Sequence, residues 1–331
     1  MSVACRVATA ATILIAAAGG GMAEPLARPT QYVIISFDGA HDLAQWERSR
    51  ALAKKTGASF TYFLSCVFLL SPQTKNLYRP PHKASGASNV GFAATGEEVA
   101  ARLSQIWTAR GEGHEIASHG CGHFDGKGWS AADWGKEFDA FATTLRDAYA
   151  INGLDGEPAG WRSFAAQDIR GFRAPYLSTA AGLYEALAAH GFAYDASGVS
   201  RSPALPQAED GVMRFALPLI PEGPSARPVI AMDYNLFVRH SGGFEKADTD
   251  GVFEERTLAA FTAAFEKQYA GERVPVQLGF HFTLMNGAAY WRALERFAVE
   301  TCGKPDVACV SYRDYLESRP DEEGHTGSID G

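Results

Sequence analysis

Seven ionisable side chains stand out by their positions. Asp38, Arg173, Asp195, Asp233 and His281 each close a short apolar run, and His119 and His123 follow another, in the segment His119-Gly-Cys-Gly-His123. Two histidines four residues apart share a face if the segment makes a helical turn, and can then converge on one metal ion. Neutral imidazole suits Zn²⁺, and also Co²⁺ or Ni²⁺. His281 lies on the polar side of Val276–His281, opposite Val276, Leu278 and Phe280. There an imidazole has a pKa suited to general acid work near neutral pH. An arginine such as Arg173 beside a carboxylate keeps it ionised and oriented. Each residue alone has a structural alternative: a loop histidine pair, a core histidine or a salt bridge. Their recurrence at the ends of successive runs favours a site, because the C-terminal ends of strands carry the chemistry in α/β folds.

The elements that position them alternate. Tyr32–Phe37 is apolar on both faces except at Ser36, as a buried parallel strand is. Further strands are expected at Ser59–Ser65, Glu115–Ser118, Gly171–Arg173, Phe192–Asp195, Val229–Asp233, Val276–His281 and Val307–Ser311. Helices fill the gaps. Thr95-Gly-Glu-Glu98 has the form of a capping box. Other helices are expected from Ser130, from Ser178 to a stop at Gly191, and over Ala288–Glu300. The pattern is α/β, either an open sheet or a closed barrel. No glycine-rich phosphate loop follows a strand, which weakens a nucleotide-binding reading. Ser71–Gly96 and Leu205–Arg227 read as long Pro/Gly-bearing loops, the first near the active face.

Composition narrows the class. The chain has 331 residues, 46% of them hydrophobic, and a net charge of -8. An acidic surface without a basic cluster argues against nucleic acid and against capture by anionic lipid. Residues 1–23 read as a signal peptide: Arg6, then an apolar run too short to span a bilayer, then Gly21-Met22-Ala23. Residues 24–30 are a linker, 31–320 a single barrel and 321–331 a polar tail. No later run is suited to stable membrane insertion, so the chain is expected to be exported, to the periplasm or beyond the cell. Outside the leader, Cys66, Cys121, Cys302 and Cys309 allow two disulfides. Cys302 with Cys309 is the easier pair, leaving Cys66 with Cys121.

Taken in order, SFDG, GHEIASHGCGH, GFRAPY, YDAS and LGFH resemble the polysaccharide deacetylase (NodB-homology) family, carbohydrate esterase family 4, over about residues 31 to 317. The resemblance implies a distorted (β/α)₇ barrel and a metal-dependent hydrolase removing N- or O-linked acetyl groups from a glycan. It implies His119 and His123 as ligands of a divalent metal, most simply Zn²⁺, Arg173 as the residue orienting a base, and His281 as the acid. Tyr176 and Trp129 are candidate sugar platforms, and Asp195 and Asp233 candidate substrate contacts. The chain also departs from the family. A family Asp pair is reduced to Asp38-Gly39, so Asp38 is either base or ligand, and His41 or Asp42 is a further candidate for the third ligand. The hydroxyl residue after the first histidine is Gly120. Cys121 between the histidines is either in a disulfide or a thiolate near the metal. Two other readings stay open: a glycan-binding barrel without turnover, and a metal-dependent amidohydrolase of a small molecule.

Overall fold

The computed structural model describes Met1 and residues 28–319. The leader expected over residues 1–23 (Met1 aside), residues 24–27 of the linker and the tail at 321–331 lie outside the described residues. The chain runs β1 (Gln31–Asp38), α1 (Leu43–Thr56), β2 (Thr61–Leu64), α2 (Gly96–Gly111), β3 (Glu115–Ser118), α3 (Ala131–Arg146), α4 (Ala148–Ile151) and α5 (Trp161–Gln167). It continues β4 (Gly171–Phe172), α6 (Ala181–Ala189), β5 (Tyr194–Ser200), β6 (Gln207–Glu209), β7 (Val212–Glu222), β8 (Arg227–Ile230) and α7 (Asp233–Ser241). It ends α8 (Val252–Ala270), β9 (Val276–His281), α9 (Ala289–Thr301), β10 (Val307–Val310) and α10 (Tyr312–Ser318).

The sheet is curled and mostly parallel, as the distorted barrel expected from the sequence requires. β1 is its hub. It pairs in parallel with β10 along Gln31–Ile34, with β2 along Ser36–Asp38, and with β9 from Val33 to Asp38. The parallel order continues from β2 through β3, β4 and β5 to β7. β6 and β8 join β7 antiparallel. Backbone bonds from Ala231 close the seam toward β9: its amide donates to Pro218 O and its carbonyl accepts from Gly279 N, both at 2.9 Å.

The two-residue period of β1 sorts its side chains. Val33, Ile35 and Phe37 pack outward with Trp46, Leu278, Phe280 and Trp291, under the helices. Each such fully buried large side chain contributes roughly 1.5–3 kcal/mol. Ile34 points the other way, into an inner cluster with Phe63, Tyr194, Phe215 and Tyr312. Ser36 and Asp38 share that inner face, so the alternation that builds the core also aims Asp38 into the barrel.

Local signals act largely as expected. Thr95 Oγ1 accepts from Glu98 N at 3.2 Å, and Ser130 with Asp133 forms a full capping box. Four assignments change. Leu205–Arg227 contains β6 and β7 rather than only loop. Its prolines obscured the strand, yet Pro218 sits where β7 switches from pairing with β5 to pairing with β8, a position where a missing N–H is tolerated. The helix expected from Ser178 begins at Ala181, because a short 3₁₀ turn over Pro175–Leu177 precedes it. Asp233 opens α7 instead of closing a strand, and Asp195 lies second in β5.

Candidate active site

The site is built at the C-terminal ends of β1, β3, β4 and β9. Asp38 ends β1 and is 3% exposed. Its Oδ1 accepts from Arg173 Nη1 at 2.7 Å. Arg173, just past β4, is fully buried, and all three of its guanidinium nitrogens donate. Its Nη1 also donates to Ser36 Oγ at 2.9 Å, its Nη2 to Tyr312 OH at 2.8 Å and its Nε to Ala196 O at 3.0 Å. Its guanidinium lies 4.3 Å from the centroid of the Phe63 ring. Burial would raise the Asp38 carboxyl, but Arg173, with His119 and His281, holds it below the usual carboxylate range. The sequence left open whether Asp38 stands in the base or the ligand position; the ion pair places it with Arg173.

His281 is the in-register neighbour of Asp38 across β1 and β9. Its Nδ1–H donates to Asp233 Oδ1 at 2.6 Å, and its backbone N–H to Asp233 Oδ2 at 2.8 Å. Burial lowers an imidazole pKa, yet Asp233 overrides it and raises His281 above 6.5. Its side chain is 27% exposed, and Asp233 is closed off from solvent.

His119 and His123 lie together, ring centroids 5.0 Å apart. His119 Nδ1–H donates to Arg173 O at 2.8 Å, leaving Nε2 with the lone pair. Burial pushes His119 down to about 3, so the ring is neutral. Burial also lowers His123. His123 holds a left-handed φ of 54°, and its buried Nδ1 has no hydrogen-bond partner. The disulfide Cys66–Cys121 joins the segment to the end of β2, which excludes a Cys121 thiolate; Cys302–Cys309 forms the second.

The donor set falls short of what the divalent metal implied by the resemblance requires. His119 Nε2 and the orphaned His123 Nδ1 are two nitrogen donors, but catalytic zinc takes three protein ligands. Among the described residues, none of the three candidates completes the set. Asp38 is engaged by Arg173, and Asp42 caps α1 by accepting from Gln45 N at 2.9 Å. His41 turns its Nδ1 to Gly39 O at 3.0 Å. Among the described residues no three His, Cys, Asp or Glu side chains form a group that could hold an ion. The expected three-ligand centre is therefore not formed by them.

The remaining candidates divide. Tyr176 is 59% exposed and its ring lies 4.8 Å from His123, at the mouth. Trp129 packs on Trp134, with centroids 4.9 Å apart, at the side of α3. Asp195 and Asp233 are both buried, at 1% and 0% exposure. Asp195 accepts from Ser197 Oγ at 2.5 Å, and burial raises its carboxyl to about 6. Asp233 instead orients His281. Sequence reasoning missed Tyr234, half exposed beside Asp233, with its ring centroid 6.2 Å from that of His281. It also missed Asn89, whose Nδ2 donates to His123 O at 3.0 Å. Placing Asn89 required knowing that the Ser71–Gly96 loop folds over the histidine segment.

No protein-family model matches the chain, and none of the curated proteins matches it. Solved structures do. A candidate polysaccharide deacetylase from Mycobacterium smegmatis is 18% identical, with a TM-score of 0.54, over 89% of this chain and 93% of the other. Puue allantoinase is 15% identical at a TM-score of 0.51, covering 87% and 90%. A candidate polysaccharide deacetylase from Pseudomonas aeruginosa PAO1 is 14% identical at 0.51, covering 86% and 89%. The chain has the fold these proteins share. Among the described residues no helix is long and apolar enough to cross a membrane.

Proposed function

We propose that this chain is a divergent polysaccharide deacetylase that hydrolyses acetyl groups on a glycan, with Asp38 as general base and His281 as general acid. The observation that carries the reading is the Asp38–His281 pair. The two are register neighbours at the mouth of the barrel, and opposite partners tune them in opposite directions. Arg173 keeps Asp38 ionised and Asp233 keeps His281 protonated, the two states a base and an acid require.

In this mechanism Asp38 takes a proton from water, which attacks the acetyl carbonyl carbon. The tetrahedral oxyanion is met by a backbone N–H at Tyr176, where the chain takes a left-handed turn. His281 Nε2 gives its proton to the leaving amine or alkoxide, so acetate and a free amino or hydroxyl group result. Tyr176 offers an exposed ring on which a sugar can stack. Two disulfides support the proposed export, since they persist in oxidising compartments.

The test is acetate release from acetylated glycans by the wild type and by Asp38→Asn. The deacetylase reading expects release by the first and its loss in the second. No release by the wild type, with glycan binding that Asp38→Asn alters, would leave the binding barrel. Gly39, without a side chain where a ligand is expected, favours that second reading. The finer reading, one Zn²⁺ on His119 and His123, is tested by metal content. Two imidazoles predict an ion that dialysis removes. One ion per chain retained through dialysis would overturn the two-donor site.

A further inference from the structure

The resemblance left the histidine segment without the hydroxyl that would hold it, because Gly120 stands there. The structure supplies another support. Glu137, on the inner face of α3, is 2% exposed. Its Oε1 accepts from Cys121 N at 2.7 Å and from Gly122 N at 3.3 Å. Tyr78, from the loop over the site, donates its O–H to Oε2 at 2.8 Å, and Tyr78 OH in turn accepts from Gly122 N at 3.1 Å. The two glycines make this approach possible. A Cβ on Gly120, itself at φ +67°, would lie 3.1 Å from Glu137 Oε1, and one on Gly122 would lie 2.8 Å from Tyr78 OH.

A buried carboxylate is costly unless its bonds are met. Every donor to Glu137 comes from the turn between His119 and His123 or from the loop covering it. A carboxylate is acceptor-only, which matches this all-donor set. We propose that Glu137 is a positioning residue: it fixes the Gly120–Gly122 turn and so sets the directions in which His119 and His123 present their ring nitrogens to the site.

The catalytic consequence rests on the deacetylase reading; the ring geometry does not. The experiment therefore has two arms on the full chain. Ring nitrogen NMR of ¹⁵N-histidine protein reports tautomer and order without substrate. His119 is expected as the fixed Nδ1–H tautomer. Glu137→Leu is expected to shift or broaden the His119 and His123 signals and to leave those of His281 unchanged. Glu137→Gln, which keeps an acceptor for the two amides, is expected to restore the wild-type pattern. In the kinetic arm, Glu137→Leu is expected to lower kcat by about 10–100-fold with KM little changed. Should Glu137→Leu fail to fold, Glu137→Asp carries the same test, because it withdraws the carboxylate from the amides. Wild-type ring signals in a folded variant that is only less stable would overturn the proposal. A wild type without turnover would instead count against the deacetylase reading, and the NMR arm would still decide the role of Glu137.

Discussion

Two buried carboxylates stand at opposite ends of one sheet. Asp38 is the last residue of β1, and Glu115 is the first of β3. They are 3% and 1% exposed, so burial does not distinguish them. Their partners do. Asp38 meets the guanidinium of Arg173, and burial is overridden, so its carboxyl lies low. Glu115 accepts only from neutral groups: Thr61 Oγ1 at 2.7 Å, Tyr194 OH at 2.9 Å and Arg313 N at 3.0 Å. Burial then dominates and its carboxyl is raised. The ends also differ in what is left unpaired. His123 Nδ1 is an orphan beside Asp38, whereas the donors around Glu115 are matched. A saturated cluster holds strands together. One that keeps a charge and a spare lone pair is equipped to act on a ligand, in keeping with the usual division between the two faces of such barrels.

The comparison can be broken by exchanging the two roles. Asp38→Asn is expected to lower kcat/KM by about 10²–10⁴-fold, the usual worth of a general base, while Glu115→Gln leaves it unchanged. Equal losses in acetate-release assays would erase the distinction. Glu115→Leu strands three donors and is expected to cost about 1–3 kcal/mol for each one left without a partner, read in urea unfolding, with kcat intact.

The pH profile sharpens the same contrast. In the proposed mechanism, activity needs Asp38 ionised and His281 protonated. It should rise with pH through the lowered carboxylate and fall through an imidazole above 6.5, giving a broad plateau. Asp233→Asn removes the anion that raises His281, so the alkaline limb is expected to move down while the acid limb stays. An unmoved limb in kcat/KM against pH would remove His281 from the acid role.

The smallest effect is expected at Asp195. Its folded pKa, about 6, exceeds the free value of 3.8, so the folded chain keeps a proton that the unfolded chain has released. Stability from this group falls as pH rises between those values. Asp195→Asn should flatten that part of the stability curve without changing kcat.

Much of this was legible from local pattern. The ends of β3 and β9 and the Thr95 and Ser130 caps follow from alternation and spacing, because local geometry depends on nearby residues; the segment from His119 to His123 is not the helical turn that its spacing suggests, and left-handed residues at Gly120 and His123 bring the two rings together instead. β6 and β7 are not legible, since prolines that mark loops in isolation are tolerated where pairing changes partner. From sequence Asp233 looks like a strand end, because nothing local shows that it meets a histidine 48 residues away.

The sequence by itself determined the chemical inventory and its order: an Asp after the first strand, a His pair after the third, an Arg after the fourth and a His on a late strand. A two-residue period was enough to aim Asp38 inward. Only the tertiary structure decided the partnerships. It gave Arg173 to Asp38, Asp233 to His281 and Glu137 to the turn between the histidines, and among the described residues it placed no third ligand beside them. Those choices depend on the curl of the sheet and on a loop folded across its mouth. The distances they set, near 3 Å or less, fix which groups are charged and which lone pairs stay free.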